Sequence, residues 1–271
     1  MVSYDPRMQA PTFLQRFFEG APADIVGCLR CRGSRDYAGE LRMAFQPIVD
    51  VERREVFAFE ALVRGADGAS AGQVLSSITP EQLYGFDQTC RVLAIDTAQR
   101  LGMQARLSIN FLPNAVDEPA TCIRLTLAAA DKVGFPPERL IFEMSEAEQI
   151  RDPQHALSIV RDYQKRGFLT AIDDFGAGYS GLNLLAEFQP HLVKLDMALV
   201  RDIDRNRARQ AIVGGVLGTC HALGVQVIAE GVESRAEYDW LRDAGVTLFQ
   251  GYLVARPAVE ALPEPDWAAL A

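Results

Sequence analysis

The chain has 271 residues, a length that suits one large barrel domain. With 49% hydrophobic and 23% charged residues it is typical of soluble globular proteins, and its apolar runs are too short to span a bilayer. Its net charge of −9 argues against binding a nucleic-acid polymer through the phosphate backbone. The first residues lack the basic and then apolar pattern of a signal peptide, so we expect a cytoplasmic protein.

The five cysteines are an odd number and fit reduced thiols better than a disulfide framework. Cys28 and Cys31 form a C-x-x-C motif, which could supply half of a zinc site. The sequence contains neither a second C-x-x-C nor an H-x-x-x-H to complete such a site. Plain thiols are therefore the favoured interpretation.

The first predicted elements are a short helix and a hairpin. In residues 11–20 the large apolar side chains fall on one helical face, and we expect this face to pack against the barrel rather than bind a partner or a membrane. These side chains are Phe13, Leu14, Phe17 and Phe18. Two β-rich runs, AFQPIVDV and EVFAFEAL, follow around a polar turn at residues 52–54, which predicts a β-hairpin.

From Leu83 onward an amphipathic segment, a glycine and a short β-rich run recur five times. Glycine adopts the left-handed conformation that ends many helices, so each repeat predicts a helix, its C-cap and a strand. The glycines are Gly102, Gly134, Gly167, Gly224 and Gly245. The runs after them are RLSIN, RLIFEM, LTAIDD, VQVIAE and VTLFQ, and HLVKLD after Pro190 adds another strand.

Helix starts are also marked in the sequence. Ser234 with Glu237 has the form of a capping box, and Asp152 before Pro153 predicts a capped first turn. Together these elements predict an α/β fold, a modified (β/α)8 TIM barrel with an antiparallel first strand pair. An open doubly wound sheet is the alternative. We expect an N-terminal extension in residues 1–40, the barrel in 41–262 and a C-terminal tail in 263–271.

Polar residues end nearly all of these predicted strands, at the edge where barrel enzymes build their sites. From strand two to strand eight they are Glu60, Asn110, Glu143, Asp173 with Asp174, Lys194 with Asp196, Glu230 and Gln250. One carboxylate at a strand end is ordinary, because chains surface there. Carboxylates at the ends of five strands around one barrel axis would repel one another, so positive charge must lie among them.

The ligand types point to a hard cation. Oxygen ligands without histidine or cysteine favour Mg²⁺ or Mn²⁺ over zinc. Asp173 and Asp174 are adjacent at a strand end, where a turning chain can present two carboxylates to two neighbouring cations. Two metal ions about 4 Å apart are the usual arrangement for displacement at phosphorus. The residues therefore predict a metal-dependent phosphodiesterase.

A second pattern competes with this interpretation. Gly176, Gly178 and Gly181 form G-x-G-x-x-G directly after a strand, as in nicotinamide-dependent enzymes. Asp173 and Asp174 immediately before it would repel a pyrophosphate, and Pro190 leaves room for only a short helix. We interpret these glycines as part of a flexible loop that holds the aspartate pair.

The chain resembles the EAL family of cyclic di-GMP phosphodiesterases in an ordered series of motifs. They are Gln46-Pro47, the E-A-L at residues 60–62 with Arg64, Asn110, E-M-S-E at 143–146, DDFG at 173–176, KLD at 194–196, AEGVE at 229–233 and QGY at 250–252. The resemblance extends from about Ala44 to Pro257, and such ordered agreement is highly specific.

The resemblance implies hydrolysis of one phosphodiester bond of cyclic di-GMP to linear pGpG by two Mg²⁺ or Mn²⁺ ions per active site. The ligands of the first ion would be Glu60, Asn110, Glu143 and Asp173. Those of the second would be Asp173 and Asp174. Lys194 and Glu230 would orient the attacking water or take its proton.

Other roles follow from the same resemblance. The candidate substrate contacts are Gln46, Leu62, Arg64, Asp196, Glu233 and Gln250. Glu146, together with Glu233, would stabilise the loops. We also expect a homodimer, because the family often forms one through the loop after the aspartate pair. The alternative function is a catalytically silent cyclic di-GMP receptor, which usually shows as lost metal ligands, and here every ligand position is filled.

Overall fold

The computed structural model describes residues 12–21, 37, 39–116, 118–145, 152–178 and 181–271. Cys28, Cys31 and Glu146 lie outside the described residues, so their predicted roles stay predictions. Within these ranges, no helix combines the length and the hydrophobicity that crossing a bilayer requires.

Eight strands form a closed barrel, and their order around it follows the sequence. The strands are β1 (Leu41–Asp50), β2 (Glu55–Gly65), β3 (Arg106–Asn110), β4 (Leu140–Ser145), β5 (Leu169–Phe175), β6 (Leu192–Leu195), β7 (Gln226–Ala229) and β8 (Leu248–Phe249). Strands β2 to β8 are parallel, and β1 closes the barrel by pairing antiparallel with β2 and β8. A short β9 (Ala258–Val259) also pairs with β1. The predicted modified barrel is confirmed, and the open sheet is wrong.

Helices surround the barrel and alternate with the strands after β2. They are α1 (Phe13–Phe17), α2 (Ala71–Ser76), α3 (Leu83–Arg100), α4 (Pro119–Val133), α5 (Pro153–Lys165), α6 (Gly181–Glu187), α7 (Met197–Val200), α8 (Arg207–Leu223) and α9 (Arg235–Asp243). The Ser234 and Glu237 capping box opens α9, and Asp152 accepts hydrogen bonds from two first-turn amides of α5. Gly134 and Gly224 end α4 and α8 at φ of 75° and 71°, as the sequence predicts.

An apolar layer fills the barrel directly below the predicted site. It contains one or two residues from each strand except β3. They are Ile48, Phe57, Ala58, Ile141, Ala171, Leu192, Ile228 and Leu248. Most of them precede a predicted site residue by two positions, and side chains two apart on a strand share a face. The polar side chains therefore form the next layer of the barrel interior, at its carboxyl end.

The register of the strands sets these polar residues at one height. Gln46 of β1 is opposite Glu60 of β2. Along the parallel part of the sheet, Asn110 of β3 is opposite Glu143 of β4, and Asp173 of β5 lies beside Ser145. The hydrogen-bonding pattern of the sheet therefore brings residues far apart in sequence into one cluster.

The α1 helix packs on the outside of the barrel. The side chains of Phe13, Leu14 and Phe17 lie against a buried cluster formed by Phe18 with Val92 of α3 and two residues of α4. This confirms that the apolar face of the first helix packs against the barrel domain. The domain boundaries given by the sequence stay predictions.

Candidate active site

The ammonium of Lys194 lies at the centre of the acidic cluster. Its Nζ atom is 2.7 Å from Glu230 Oε1, 2.8 Å from Asp173 Oδ1, 2.9 Å from Glu143 Oε2 and 3.3 Å from Glu60 Oε2. The lysine side chain is completely buried. We call these four acids, with Asp174, the acid ring. The positive charge that the sequence requires among the carboxylates is thus supplied in part by the chain itself.

Burial and crowding change the protonation of the ring. Removal from water raises the pKa of Glu143 to about 8 against the opposing effect of Lys194, with further upward contributions from Glu60 and Asp173. Burial likewise raises the pKa of Glu230 well above its ordinary value. Burial opposes the charge of Lys194, but the surrounding carboxylates outweigh it and raise its pKa. In the metal-free chain the lysine therefore stays charged, and Glu143 and Glu230 hold their protons more readily than exposed carboxyl groups do.

Hydrogen bonds fix the orientation of the ring carboxylates. Asn110 Nδ2 donates to Glu60 Oε1 at 3.1 Å, and Gln250 Nε2 donates to Glu60 Oε2 at 2.7 Å. Ser108 Oγ donates to Glu143 Oε1, whose other oxygen faces Lys194. Each of these two glutamates is held through both oxygens, so the ring is preorganised.

Adjacent aspartates reach one site because the end of β5 is irregular. Asp174 has a φ of 55°, in the left-handed region, and the pairing of β5 with β6 shifts register between Ile172 and Phe175. Ser145 Oγ donates to Asp174 Oδ2 at 2.9 Å. Burial and the neighbouring Asp173 raise the pKa of Asp174. This backbone turn explains why two consecutive carboxylates both face the ring.

Two overlapping groups of acids in the ring could each hold a metal ion. Glu60, Glu143 and Asp173 each place an oxygen within 4.8 Å of the others, and Asp173, Asp174 and Glu230 form a second such group. Asp173 belongs to both groups. When all five acids are ionised, one lysine leaves four negative charges, which two divalent ions would neutralise. Carboxylate and amide oxygens are the donors that Mg²⁺ and Mn²⁺ prefer.

Two cavities, with volumes of about 590 and 230 Å³, adjoin the acid ring. Both are lined by Glu60, Asp174 and Glu230. The larger cavity continues over Leu62 and a mostly apolar wall from α2 and α3. Among the predicted substrate contacts, the smaller cavity is lined by Gln46, Asp196, Glu233 and Gln250.

The side chains of Arg64 and Glu233 have partners outside the acid ring. Arg64 lines neither cavity and donates from Nη1 to the carbonyl of Val63 at 2.8 Å. Glu233 lines the smaller cavity, but its carboxylate forms an ion pair with Arg201 at 2.7 Å. The structure therefore places most of the predicted substrate contacts in the lining of the two cavities, whereas Arg64 lines neither.

Two serines that orient the carboxylates were not among the predicted site residues. Ser108 precedes Asn110 by two positions on β3, and Ser145 follows Glu143 by two on β4. Since side chains two apart share a face of a strand, this spacing was a usable signal. The apolar wall of the larger cavity had no comparable signal, because it is assembled from separate helices.

Residues 34–257 match the EAL domain family, and the chain belongs to this family. A standalone EAL protein from Vibrio cholerae O395, solved in its c-di-GMP bound form, is 49% identical with a TM-score of 0.84, covering 87% of this chain and 100% of that one. BlrP1 from Klebsiella pneumoniae, in a manganese and cy-diGMP complex, is 35% identical with a TM-score of 0.78, covering 86% and 60%.

Curated relatives carry names of more than one kind. The blue light- and temperature-regulated antirepressor BluF from Escherichia coli K12 is 32% identical over 250 residues, which are 92% of this chain and 61% of BluF. The cyclic di-GMP phosphodiesterase RocR from Pseudomonas aeruginosa is 33% identical over 161 residues, 59% of this chain and 41% of RocR. The chain thus spans about three fifths of BluF and less of RocR.

Proposed function

We propose that the chain hydrolyses one phosphodiester bond of cyclic di-GMP to give linear pGpG, with two Mg²⁺ or Mn²⁺ ions. The observation that carries this proposal is the acid ring, in which both carboxylate groups are complete and share Asp173. Family membership and relatives named for cyclic di-GMP support the choice of substrate.

The two ions would occupy the two groups of ligands. The first would be held by Glu60, Asn110, Glu143 and Asp173. The second would be held by Asp173 and Asp174, with Glu230 within reach as a further ligand. Bound there, the ions would lower the pKa of the attacking water and offset the charge that develops on the phosphate.

Lys194 and Glu230 form the part of the ring suited to handling the proton. Their contact of 2.7 Å fixes the glutamate side chain beside Asp173, where it would accept the proton of the attacking water. Lys194 would hold the carboxylates in place through its four contacts. Because pGpG keeps its phosphate on the 5′ oxygen, the phosphorus bond to the 3′ oxygen is the one that breaks.

The two cavities suit a ligand with two lobes. A cyclic dinucleotide could place one nucleotide in each cavity and one diester over the shared acids. Leu62 would contact the lobe in the larger cavity, and Gln46, Asp196, Glu233 and Gln250 the lobe in the smaller one. Arg64 would reach a phosphate oxygen only after leaving the carbonyl of Val63.

A test of the proposed function is to incubate the purified chain with cyclic di-GMP and Mn²⁺ and to separate the nucleotides by chromatography. We expect pGpG as the product, with formation stopped by EDTA and restored by excess Mn²⁺.

One relative is named an antirepressor, which favours a silent cyclic di-GMP receptor as the second candidate. Tight binding of cyclic di-GMP without any pGpG would establish the receptor instead.

Several finer expectations stay predictions. The homodimer is one of them, and residues 179 and 180, in the loop expected to form it, lie outside the described part of the chain. Sedimentation equilibrium would give the oligomeric state directly. The cytoplasmic location and the loop-stabilising role of Glu146 also remain to be tested.

A further inference from the structure

A buried ion pair on α3 contacts the loop that follows Asn110, the last residue of β3. Asp87 Oδ2 is 2.7 Å from Arg91 Nη2, and the two side chains are 2% and 0% exposed. Arg91 Nη1 also donates to Tyr163 Oη of α5 at 3.1 Å. Neither Asp87 nor Arg91 belongs to the acid ring, so the chemistry proposed above leaves this pair unexplained.

The pair contacts both residues that follow Asn110. Asp87 Oδ1 accepts a hydrogen bond from the backbone amide of Leu112 at 3.0 Å. The guanidinium of Arg91 lies 5.5 Å from the centroid of the Phe111 ring, a cation–π distance. The end of β3 is therefore held from the side of α3 as well as by its neighbouring strand.

The energetics of burial favour a geometric role for this pair. Removing two charges from water costs free energy that offsets their attraction, so replacing a buried ion pair with apolar residues is often neutral or stabilising. Asp87 also lines the larger cavity together with Phe111 and Leu112. The pair therefore fixes the position of the loop after Asn110 and does not add a large amount to the free energy of unfolding.

We propose that Asp87 is a positioning residue for the first metal ion, acting through the Leu112 amide on Asn110. This inference rests on the proposed function, since it takes Asn110 as a metal ligand. Asn110 donates from Nδ2 to Glu60 Oε1, which leaves its Oδ1 as the atom for the ion. Removing the partners that orient a ligand typically weakens metal affinity about 10- to 100-fold.

The main test is the double substitution Asp87→Leu with Arg91→Met, studied in the full chain. It removes the hydrogen bond to Leu112 without leaving a buried charge, so we expect the fold and its unfolding temperature to be kept. We expect the affinity for Mn²⁺, measured by calorimetry without nucleotide, to fall at least about tenfold.

A matched control lies about two and a half turns further along the same helix. Asp96 and Arg100 form an i,i+4 ion pair at 3.0 Å, and they are 23% and 55% exposed. Asp96→Leu with Arg100→Met makes the same chemical change away from the loop that follows Asn110. This control should bind Mn²⁺ with wild-type affinity.

Two single substitutions separate the effect of the hydrogen bond to Leu112 from the effect of the charge on Asp87. Asp87→Asn keeps an oxygen for the Leu112 amide and should bind Mn²⁺ almost as well as wild type. Asp87→Glu keeps the charge but moves the accepting oxygen, so it should weaken Mn²⁺ binding and serves as the test if the double variant folds poorly. Wild-type affinity in both Asp87→Glu and the double variant would overturn the inference but not the proposed function. A wild-type chain without any Mn²⁺ binding would overturn both.

Discussion

Replacing Asp173 with alanine is expected to lower the rate of cyclic di-GMP hydrolysis about a thousandfold or more. Asp173 is the carboxylate common to both proposed groups of metal ligands. Its loss would remove a ligand from each of the two proposed ions, and metal ions contribute several kcal/mol of transition-state stabilisation. Since about 1.4 kcal/mol corresponds to a factor of ten in rate, the loss of both well-placed ions accounts for a change of this size.

This prediction is measured by steady-state formation of pGpG at saturating Mn²⁺. Asp131→Ala, which removes an exposed carboxylate on α4, is the control and should keep full activity. Bound Mn²⁺ should also raise the thermal unfolding temperature of wild type and control but not of Asp173→Ala. Wild-type turnover in Asp173→Ala would contradict the assignment of metal ligands.

Replacing Lys194 with methionine is expected to destabilise the metal-free protein by about 3–5 kcal/mol, the usual cost of leaving buried charges without their partner. Methionine keeps much of the length of the side chain but removes the ammonium that contacts four carboxylates. The free energy of unfolding is measured by urea denaturation in the presence of EDTA. Lys165→Met, at the exposed end of α5, is the control and should unfold like wild type.

The loss of stability in Lys194→Met should depend on pH. The pKa of Glu143 in the folded chain is about 8, above its ordinary value of 4.5. A carboxyl group with a raised pKa stabilises the fold at low pH, and this contribution disappears as the pH rises through the folded-state pKa. Without the ammonium, the carboxylates of the acid ring repel one another more strongly. The free energy of unfolding of Lys194→Met should therefore fall more than that of wild type between pH 6 and pH 8. An equal urea midpoint for both proteins at pH 8 would contradict the central role of Lys194.

The barrel was predictable because its signals are local. One such signal is a glycine that ends a helix, such as Gly134 or Gly224, followed by a short β-rich run. Each can be recognised from only a few neighbouring residues. The hairpin of β1 and β2 followed from its polar turn in the same way. The α2 helix was missed, because a Gly- and Ala-rich stretch gives no clear helical period, although Ser70 and Gln73 form a capping box there.

The site was predictable in composition but not in geometry. The acids could be identified from their positions at the predicted strand ends, since a closed barrel brings its strand ends together. The sequence did not place Lys194 at the centre of four carboxylates, because that depends on strand tilt and side-chain length. Nor did it reveal the bond from Leu112 to Asp87, since the two residues are 25 positions apart and lie on different elements.

The most direct test of the two-metal acid ring is the anomalous scattering of manganese in crystals grown with Mn²⁺ and cyclic di-GMP. We expect two peaks, the first contacting Glu60, Asn110, Glu143 and Asp173, and the second contacting Asp173 and Asp174. The nucleotide should lie across both cavities with one phosphate next to the ions. A cyclic di-GMP complex with no manganese peak at the ring, and with Lys194 still contacting all four carboxylates, would contradict the two-metal site.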